Sequence, residues 1–397
     1  MRYPFREDDI SGSIATRIKN RGILETVMKV LQLTVHFPPN TGGVETHLSD
    51  LVGELVKRKF DVFVLTYRPL VANARWKVWE SKKNLKILRL PWIKGLYYKT
   101  IYNSILAFIY TFPGLFLALP FVILFFNPDV IHSHGVVAGF AGTIWGKVFG
   151  KRVIISAHNI YHFPKHGLYR QLVQTMFNKS DGVLTLAELS KNEVISLGVD
   201  RKKVNKFTYW LDLEKFRVIK SAKDKLGWKG FDVLFVGRLV AEKGIPELLE
   251  AAKSWDEGIN LYIAGTGPLE QEIKNQKSKI QNMNYLGRVD NDNLPLYYSA
   301  ADIVIIPSTH EEGFGRVILE SLACGTPVIG SNRGAIPEAM DESVGKLIDV
   351  TPKNIRQAVE YYHDNPEKLA NLARNTRTFA EEKYSNKNID QIIQLYD

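Results

Sequence analysis

Short runs of β-branched and other apolar residues alternate with helix-length stretches along almost the whole chain, and this alternation constrains the fold more than any other feature. In the first half the runs are Lys29 to Thr34, Asp61 to Thr66, Leu85 to Leu90, Asp129 to His132, Arg152 to Ala157 and Gly182 to Leu186. A charged connector, Lys215 to Lys229, leads to a second set at Val233 to Val236, Asn260 to Ala264, Ile303 to Pro307 and Pro327 to Gly330. Strands of this kind, with helices between them, belong to parallel sheets covered on both faces. Two sets predict an α/β protein of two Rossmann-like domains facing across a cleft, and 397 residues with 45% hydrophobic content supply two cores. Beyond about Pro352 the pattern is helical to the end, including Lys383 to Tyr396.

A single cysteine, Cys324, excludes an internal disulfide framework, and its apolar surroundings predict an inert packed thiol. The net charge of +10 is unevenly spread: between Arg68 and Lys99 nine basic residues face one acidic residue, Glu80, with Trp76, Trp79, Trp92, Tyr97 and Tyr98 interleaved. Ser104 to Phe126 follows, 23 residues without a charge. About 20 apolar residues suffice to span a bilayer. Spanning would put the flanking strands on opposite sides, and Pro113 and Pro120 predict a broken helix. Two readings stay open: a broken helix buried on the sheet beside a solvated basic face, or an interfacial helix in peripheral contact with an anionic membrane. Met1 to Val27 has no apolar signal-peptide core, so it reads as a disordered extension or a misassigned start, with a cytoplasmic location as the default.

The chemistry-bearing segment is Thr309 to Ile329, THEEGFGRVILESLACGTPVI. Glu312 and Glu320 stand eight positions apart around a Gly-Phe-Gly loop, after the strand DIVIIP and at the start of the helical stretch Arg316 to Ala323. A strand, a glycine loop and a helix N-terminus form an anion site, because unpaired N–H groups and the helix dipole face the phosphate. The two glutamates are expected to span on the order of 10 Å, the reach from a sugar across a diphosphate to a ribose. Upstream, FDVLFVGR and LVAEKG place two cations, Arg238 and Lys243, after another strand. The turn Thr41-Gly42-Gly43-Val44 precedes a further helical pattern, so Gly43 is a candidate for close backbone approach to phosphate. Five of the nine histidines fall between His132 and His166, but no cysteine or spaced carboxylate completes a zinc set, and no metal is expected. His132, His162 and His166 read as satisfied structural histidines. Asp290-Asn291-Asp292 precedes a helix and reads as an N-cap.

These segments, with NLYIAGTGPL, NYLGRV and LYYSAADIVIIP in the same order, resemble the retaining glycosyltransferases of family four, from about Met28 onward. The resemblance implies the GT-B architecture, with residues 28–206 forming an acceptor-side domain, 207–380 a nucleotide-sugar domain, and 381–397 a helix returning to the first domain. It implies catalytic roles for Arg238, Lys243, Glu312 and His158, and donor contacts from Gly43, Val289, Gly313, Phe314, Gly315 and Glu320. His134 becomes an acceptor-side candidate. The co-substrate is then a nucleoside-diphosphate sugar, with no metal cofactor and no nucleic acid partner. Within the family, FPPNTGGVETH, PDVIHSHG and SAHN are similar to the subgroup containing the catalytic subunit of phosphatidylinositol N-acetylglucosaminyltransferase, which implies a lipid acceptor. One departure stands out: where relatives commonly read P-N-G-V-D, this chain has Tyr209-Trp210-Leu211-Asp212.

The expected function is transfer of a hexose or N-acetylhexosamine, with retention, to a lipid-linked or envelope glycan acceptor, on the cytoplasmic side and peripheral to the inner face of the cell membrane. The alternatives are the same chemistry on a small soluble acceptor, a nucleotide-sugar epimerase of similar fold, and a non-catalytic sugar-nucleotide-binding or membrane-interaction module.

Overall fold

The computed structural model of the chain describes residues 27–40, 42–70, 74–93, 104–277 and 279–397. The extension up to residue 26, Thr41, and the part of the basic segment at 94–99 lie outside the described residues. The first half contains β1 (Lys29–Thr34), α1 (Gly43–Lys57), β2 (Asp61–Tyr67), β3 (Trp79–Lys82), β4 (Leu85–Leu90), α2 (Ser104–Phe126), β5 (Val130–His134), α3 (Gly135–Val148), β6 (Arg152–Ala157), α4 (Leu168–Lys179), β7 (Gly182–Thr185), α5 (Glu188–Ser196) and β8 (Val204–Lys206). These strands form a sheet of order β3-β4-β2-β1-β5-β6-β7-β8, parallel except for the antiparallel edge strand β3. Most of its strands are buried on both faces, as packing between helix layers requires.

The second half contains α6 (Ala222–Leu226), β9 (Phe231–Val236), α7 (Ile245–Ala252), β10 (Ile259–Ala264), α8 (Glu270–Gln276), β11 (Met283–Gly287), α9 (Leu294–Ala300), β12 (Ile303–Ile306), α10 (Arg316–Ala323), β13 (Val328–Ser331), α11 (Ile336–Ala339), β14 (Gly345–Ile348), α12 (Pro352–Asp364), α13 (Pro366–Lys383) and α14 (Asp390–Ile393). Its parallel sheet runs β11-β10-β9-β12-β13-β14, the doubly wound order. The two sheet domains face across a cleft, which is the GT-B architecture. After α13 the chain crosses back: Arg58 pairs with Asp390, Arg152 Nε donates to the Leu395 carbonyl at 2.7 Å, and Gln32 donates to the Tyr396 hydroxyl at 3.3 Å.

Helix α2 corrects one expectation, because it runs unbroken through Pro113 and Pro120. The Tyr67 hydroxyl enters the opened turn at Pro113, accepting from the Leu115 N–H at 2.9 Å and donating to the Thr111 carbonyl. Gly114 makes the room, since a Cβ there would strike that hydroxyl. Pro120 orphans the Phe116 carbonyl, and the Trp145 indole N–H donates to it at 2.8 Å. With the Thr111, Leu115 and Phe116 groups satisfied in this way, the helix continues. One face, including Leu115, Leu119 and Ile123, is buried against the first sheet, while Ile109, Leu117, Phe121, Leu124 and Phe125 stay exposed. Among the described residues this is the one helix long and apolar enough to cross a membrane.

The basic segment is also more ordered than a solvated face. Arg89 is buried, pairs with Glu80 and donates to the Pro38 carbonyl at 2.9 Å, and Lys86 pairs with Asp61 at 3.4 Å. Arg75, Lys77, Lys82 and Lys83 remain exposed.

Candidate active site

In a doubly wound sheet a crevice opens at the carboxyl ends of the strands, where the strand order reverses. That point lies between β9 and β12 in the second sheet and between β1 and β5 in the first. The loop after β9 carries Arg238 and Lys243, and the loop after β12 carries Glu312. Lys243 Nζ pairs directly with Glu312 Oε1, and the Ser308 hydroxyl donates to the same oxygen. Burial alone would raise the Glu312 carboxyl, yet Lys243 and the donated hydrogen bonds overcome it and hold the group below the usual glutamate range. Glu312 is therefore a carboxylate at neutral pH, which suits hydrogen-bond acceptance and charge complementarity rather than proton donation. Gly244 is required where it sits: φ is 72° and a Cβ would collide with the Pro307 carbonyl.

The Gly-Phe-Gly loop joins the two domains. A Cβ at Gly313 would lie 2.7 Å from the His158 carbonyl, so only glycine lets the loop approach that strand end. Phe314 is 5% exposed and packs edge-on against Tyr209, and Gly315, at φ 74°, starts α10. The next residue, Arg316, donates to Asp50 of α1 at 2.7 Å and to Glu320 at 3.2 Å. Glu320 is 5% exposed and also accepts from the Tyr298 hydroxyl at 2.9 Å. Its burial raises the carboxyl pKa, opposed by Arg316 and by the Tyr298 and Arg316 hydrogen bonds. Asp50, Arg316, Glu320 and Tyr298 form a polar chain that crosses the domain interface, with Asp50 partly exposed at one end. Asp50, Arg316 and Tyr298 carry no local sequence signal, because the Asp50 pairing joins residues 266 positions apart.

On the first domain, β1, β5 and β6 bring Gln32, His132, His134 and Ser156 to one face, in adjacent registers that align Gln32 with His132 and His134 with Ser156. His158 follows immediately after β6. His134 Nδ1 lies 2.9 Å from His158 Nε2, and His134 Nε2 lies 2.6 Å from Gln32 Oε1. His132 contacts Tyr396 Oη at 2.8 Å and Ser156 Oγ at 2.7 Å. Desolvation pushes His132 down to about 3 and His158 to about 4, and His134 well below its ordinary value. His47 of α1, wholly buried beside His158, Tyr209 and Trp210, is lowered by the same cause.

The other sequence candidates fall as follows. Gly43 at the start of α1 faces open space, whereas a Cβ at Gly42 would strike the Glu45 carboxylate. Burial raises the Glu45 carboxyl, and the charge of Arg238, exposed across the crevice, partly offsets it. Val289 is half-buried in the loop after β11. His132 is buried and satisfied as expected, but His162 and His166 are exposed, and His162 reaches Glu311 of the facing domain at 3.1 Å. The reason is that they lie on the open loop after β6, outside either core. No side chain of Asp290-Asn291-Asp292 caps α9; Asp292 instead pairs with Lys215 at 2.7 Å. At the unusual junction Asp212 accepts from the N–H groups of Glu214 at 3.1 Å and Lys215 at 3.0 Å, so its side chain closes a turn there. Cys324 is buried, its thiol pushed up to about 12, and inert.

Residues 41–214 match the sequence model of glycosyltransferase family 4, and residues 218–379 match that of glycosyl transferases group 1. An uncharacterized glycosyltransferase of Methanocaldococcus jannaschii is 27% identical over 354 residues, covering 82% of this chain and 86% of that protein. A phosphatidylinositol N-acetylglucosaminyltransferase subunit from Arabidopsis thaliana is 24% identical over 347 residues, 84% of this chain and 74% of that one. Among solved structures, HepE of Anabaena in complex with UDP-glucose superposes with a TM-score of 0.73 at 19% identity, covering 93% of this chain and 98% of that chain.

Proposed function

Because this chain is a glycosyltransferase of the GT-B fold, related to the group 1 and family 4 enzymes and acting on nucleotide-sugar donors in glycan or glycolipid biosynthesis, we propose that it moves a hexose or N-acetylhexosamine, with retention of configuration, to a lipid-linked or envelope glycan acceptor at the inner face of a membrane. The observation that carries this reading is the Lys243–Glu312 pair at the reversal point of the second sheet, beside the N-terminus of α10. As the donor's bond breaks, positive charge grows at the anomeric carbon and negative charge on the departing diphosphate. Lys243 and Arg238 stabilise the diphosphate, and the ionised Glu312 accepts hydrogen bonds from sugar hydroxyls and complements the positive carbon. The acceptor oxygen bonds to the anomeric carbon on the face the diphosphate leaves, and its proton passes to the departing phosphate oxygen. Glu312 takes no proton in this scheme, in keeping with its depressed pKa.

The donor sugar enters between Gly43, the Gly313–Gly315 loop and His158, with His134 behind it toward the acceptor. Glu320 takes the ribose and the Val289 backbone the base. HepE, which shares the fold, holds UDP-glucose, and this supports a uridine donor.

The acceptor reading draws on α2 and β3. Phe121 and Phe125, 73% and 71% exposed, stand beside Trp79 on β3. Together with Phe63, Leu88, Ala118 and Val122 they line an open groove of about 290 Å³ without polar lining, with Lys82 and Lys83 exposed at the end of β3. Exposed aromatics beside lysines are what an anionic bilayer surface attracts. The name of the Arabidopsis relative points to an inositol phospholipid acceptor for that enzyme, in the same direction. The test is a screen of nucleotide sugars by thermal shift, followed by transfer to extracted lipids and to free sugars. Transfer to lipid supports the reading; transfer only to a free sugar makes the acceptor soluble; donor conversion without any acceptor makes the protein an epimerase.

A further inference from the structure

The hydrogen-bond chain behind His158 takes its direction from the orientation of the Gln32 amide. Gln32 has one donating and one accepting end: its amide N–H donates to the Tyr396 hydroxyl at 3.3 Å, and its carbonyl faces His134 Nε2 at 2.6 Å. With the amide so oriented, His134 carries its proton on Nε2. A neutral imidazole has one N–H, so His134 Nδ1 is a bare acceptor. Its neighbour at 2.9 Å, His158 Nε2, must then be the donor. His158 is left with a lone pair on Nδ1, which is buried and has no partner among the described residues. The other branch closes consistently. The Tyr396 hydroxyl, with its oxygen accepting from Gln32, donates to His132 Nδ1 at 2.8 Å, and His132 Nε2 donates to Ser156 at 2.7 Å. Desolvation keeps the three histidines neutral, so no second proton disturbs the order.

We propose that Tyr396, carried into the first domain by the returning C-terminal segment, is a positioning residue that fixes the proton order of this chain and so presents His158 Nδ1 as an acceptor for a hydroxyl of the bound sugar. The second half rests on the donor-site reading given above; the proton order does not. His158 stands where the sugar loop meets the first domain, its carbonyl against Gly313, next to Glu312. A buried lone pair without a partner is a standing desolvation cost that a hydroxyl donor removes, whereas an acceptor such as a carboxylate gains nothing there. The last residues of the chain thus act on the sugar site through Gln32 and His134, without touching it.

The experiment is a long-range proton–nitrogen NMR spectrum of the full chain with nitrogen-labelled histidine, which identifies the protonated nitrogen of each ring. In the wild type, His132, His134 and His158 are all expected as the Nε2–H form. Tyr396→Phe removes only the hydroxyl, freeing the Gln32 amide to turn. His134 and His158 should then shift toward the Nδ1–H form. His158 protonated on Nδ1 in the wild type, or tautomers unchanged in Tyr396→Phe, overturns the proposal. The wild-type spectrum decides even where the variant folds poorly. With the donor from the screen, Tyr396→Phe should lower kcat about tenfold, the scale of one misplaced hydrogen bond, while changing KM for the donor by less than about twofold. A merely structural role would lower the melting temperature without this split. If the tautomers are as expected and no transfer is found with any donor, the function reading fails and the proton order stands.

Discussion

The two walls of the cleft are built on opposite electrostatic plans. The second domain presents charge: Arg238 exposed, Lys243 and Glu312 paired, and a helix N-terminus beside them. The first domain presents neutral rings, His132, His134 and His158, desolvated and held by one another, by Gln32 and by Tyr396. A diphosphate needs mobile cations that it can draw away from their resting partners, so a salt bridge suits that wall. A sugar hydroxyl needs a fixed acceptor or donor, which a buried neutral network supplies without the cost of burying a charge.

The largest effect expected from breaking this contrast lies on the charged wall. Lys243→Ala should lower turnover at saturating donor by roughly 10²–10³-fold, the scale of one removed transition-state donor. Steady-state kinetics checks it, and an unchanged maximal rate removes Lys243 from the mechanism.

Next in size is the far end of the nucleotide. Glu320→Ala should weaken the free nucleoside diphosphate by about 1.5–3 kcal/mol, the loss of a charged hydrogen bond. It also leaves Arg316 with Asp50 alone, so some loss of thermal stability accompanies it. Calorimetry with the nucleotide reads the first effect and a melting curve the second.

Acid separates the walls thermodynamically. An unfolded histidine titrates near ~6.5, while His132 and His158 in the fold titrate at about 3 and about 4. Between these limits the unfolded state binds the proton and the native state does not. Stability therefore falls as pH drops below ~6.5, by about 1.4 kcal/mol per pH unit for each such ring. Glu312 has its folded pKa lowered, so its contribution is complete above the unfolded value of ~4.3 and is lost only below it. From pH 6 to 5, the loss then comes from the buried histidines of the first domain, these rings together with His36 and His47. Urea unfolding of the wild type and His132→Gln across that range should show a shallower slope in the variant; equal slopes would contradict the assignment.

The smallest effect on the site comes from the outer surface. Lys77, Lys82 and Lys83 changed to Gln should weaken co-sedimentation with anionic vesicles at low salt while leaving nucleotide affinity unchanged. Wild type that binds no vesicles at any salt favours a soluble acceptor. Arg89 and Lys86 are unsuited to this test, since their charges are already engaged by Glu80 and Asp61.

Where a signal is local in sequence, the structure follows it. Strand runs such as KVLQLT and DVFVLTY bury both faces, and the loops carrying Lys243 and Glu312 follow strands as their glycines suggest. What sequence could not supply is partnership at long range. Pro113 and Pro120 read as breaks because the repair comes from Tyr67 and Trp145, on other elements. The edge strand β3, WESK, is too short and polar to announce itself beside a basic tract. Tyr396 reads in sequence as the end of a helix, yet its hydroxyl meets His132, 264 residues away.

The division of labour between Glu312 and the nucleotide end of the site is the central claim, and one pair of calorimetric titrations tests it. Uridine diphosphate titrated into wild type and Glu312→Ala should bind with affinities within about twofold of each other, because the contact assigned to Glu312 is to the sugar, even as transfer in the same variant falls by at least ~100-fold. If diphosphate affinity falls in step with transfer, Glu312 holds the phosphate side through Lys243, and the assignment of sugar to this carboxylate is wrong.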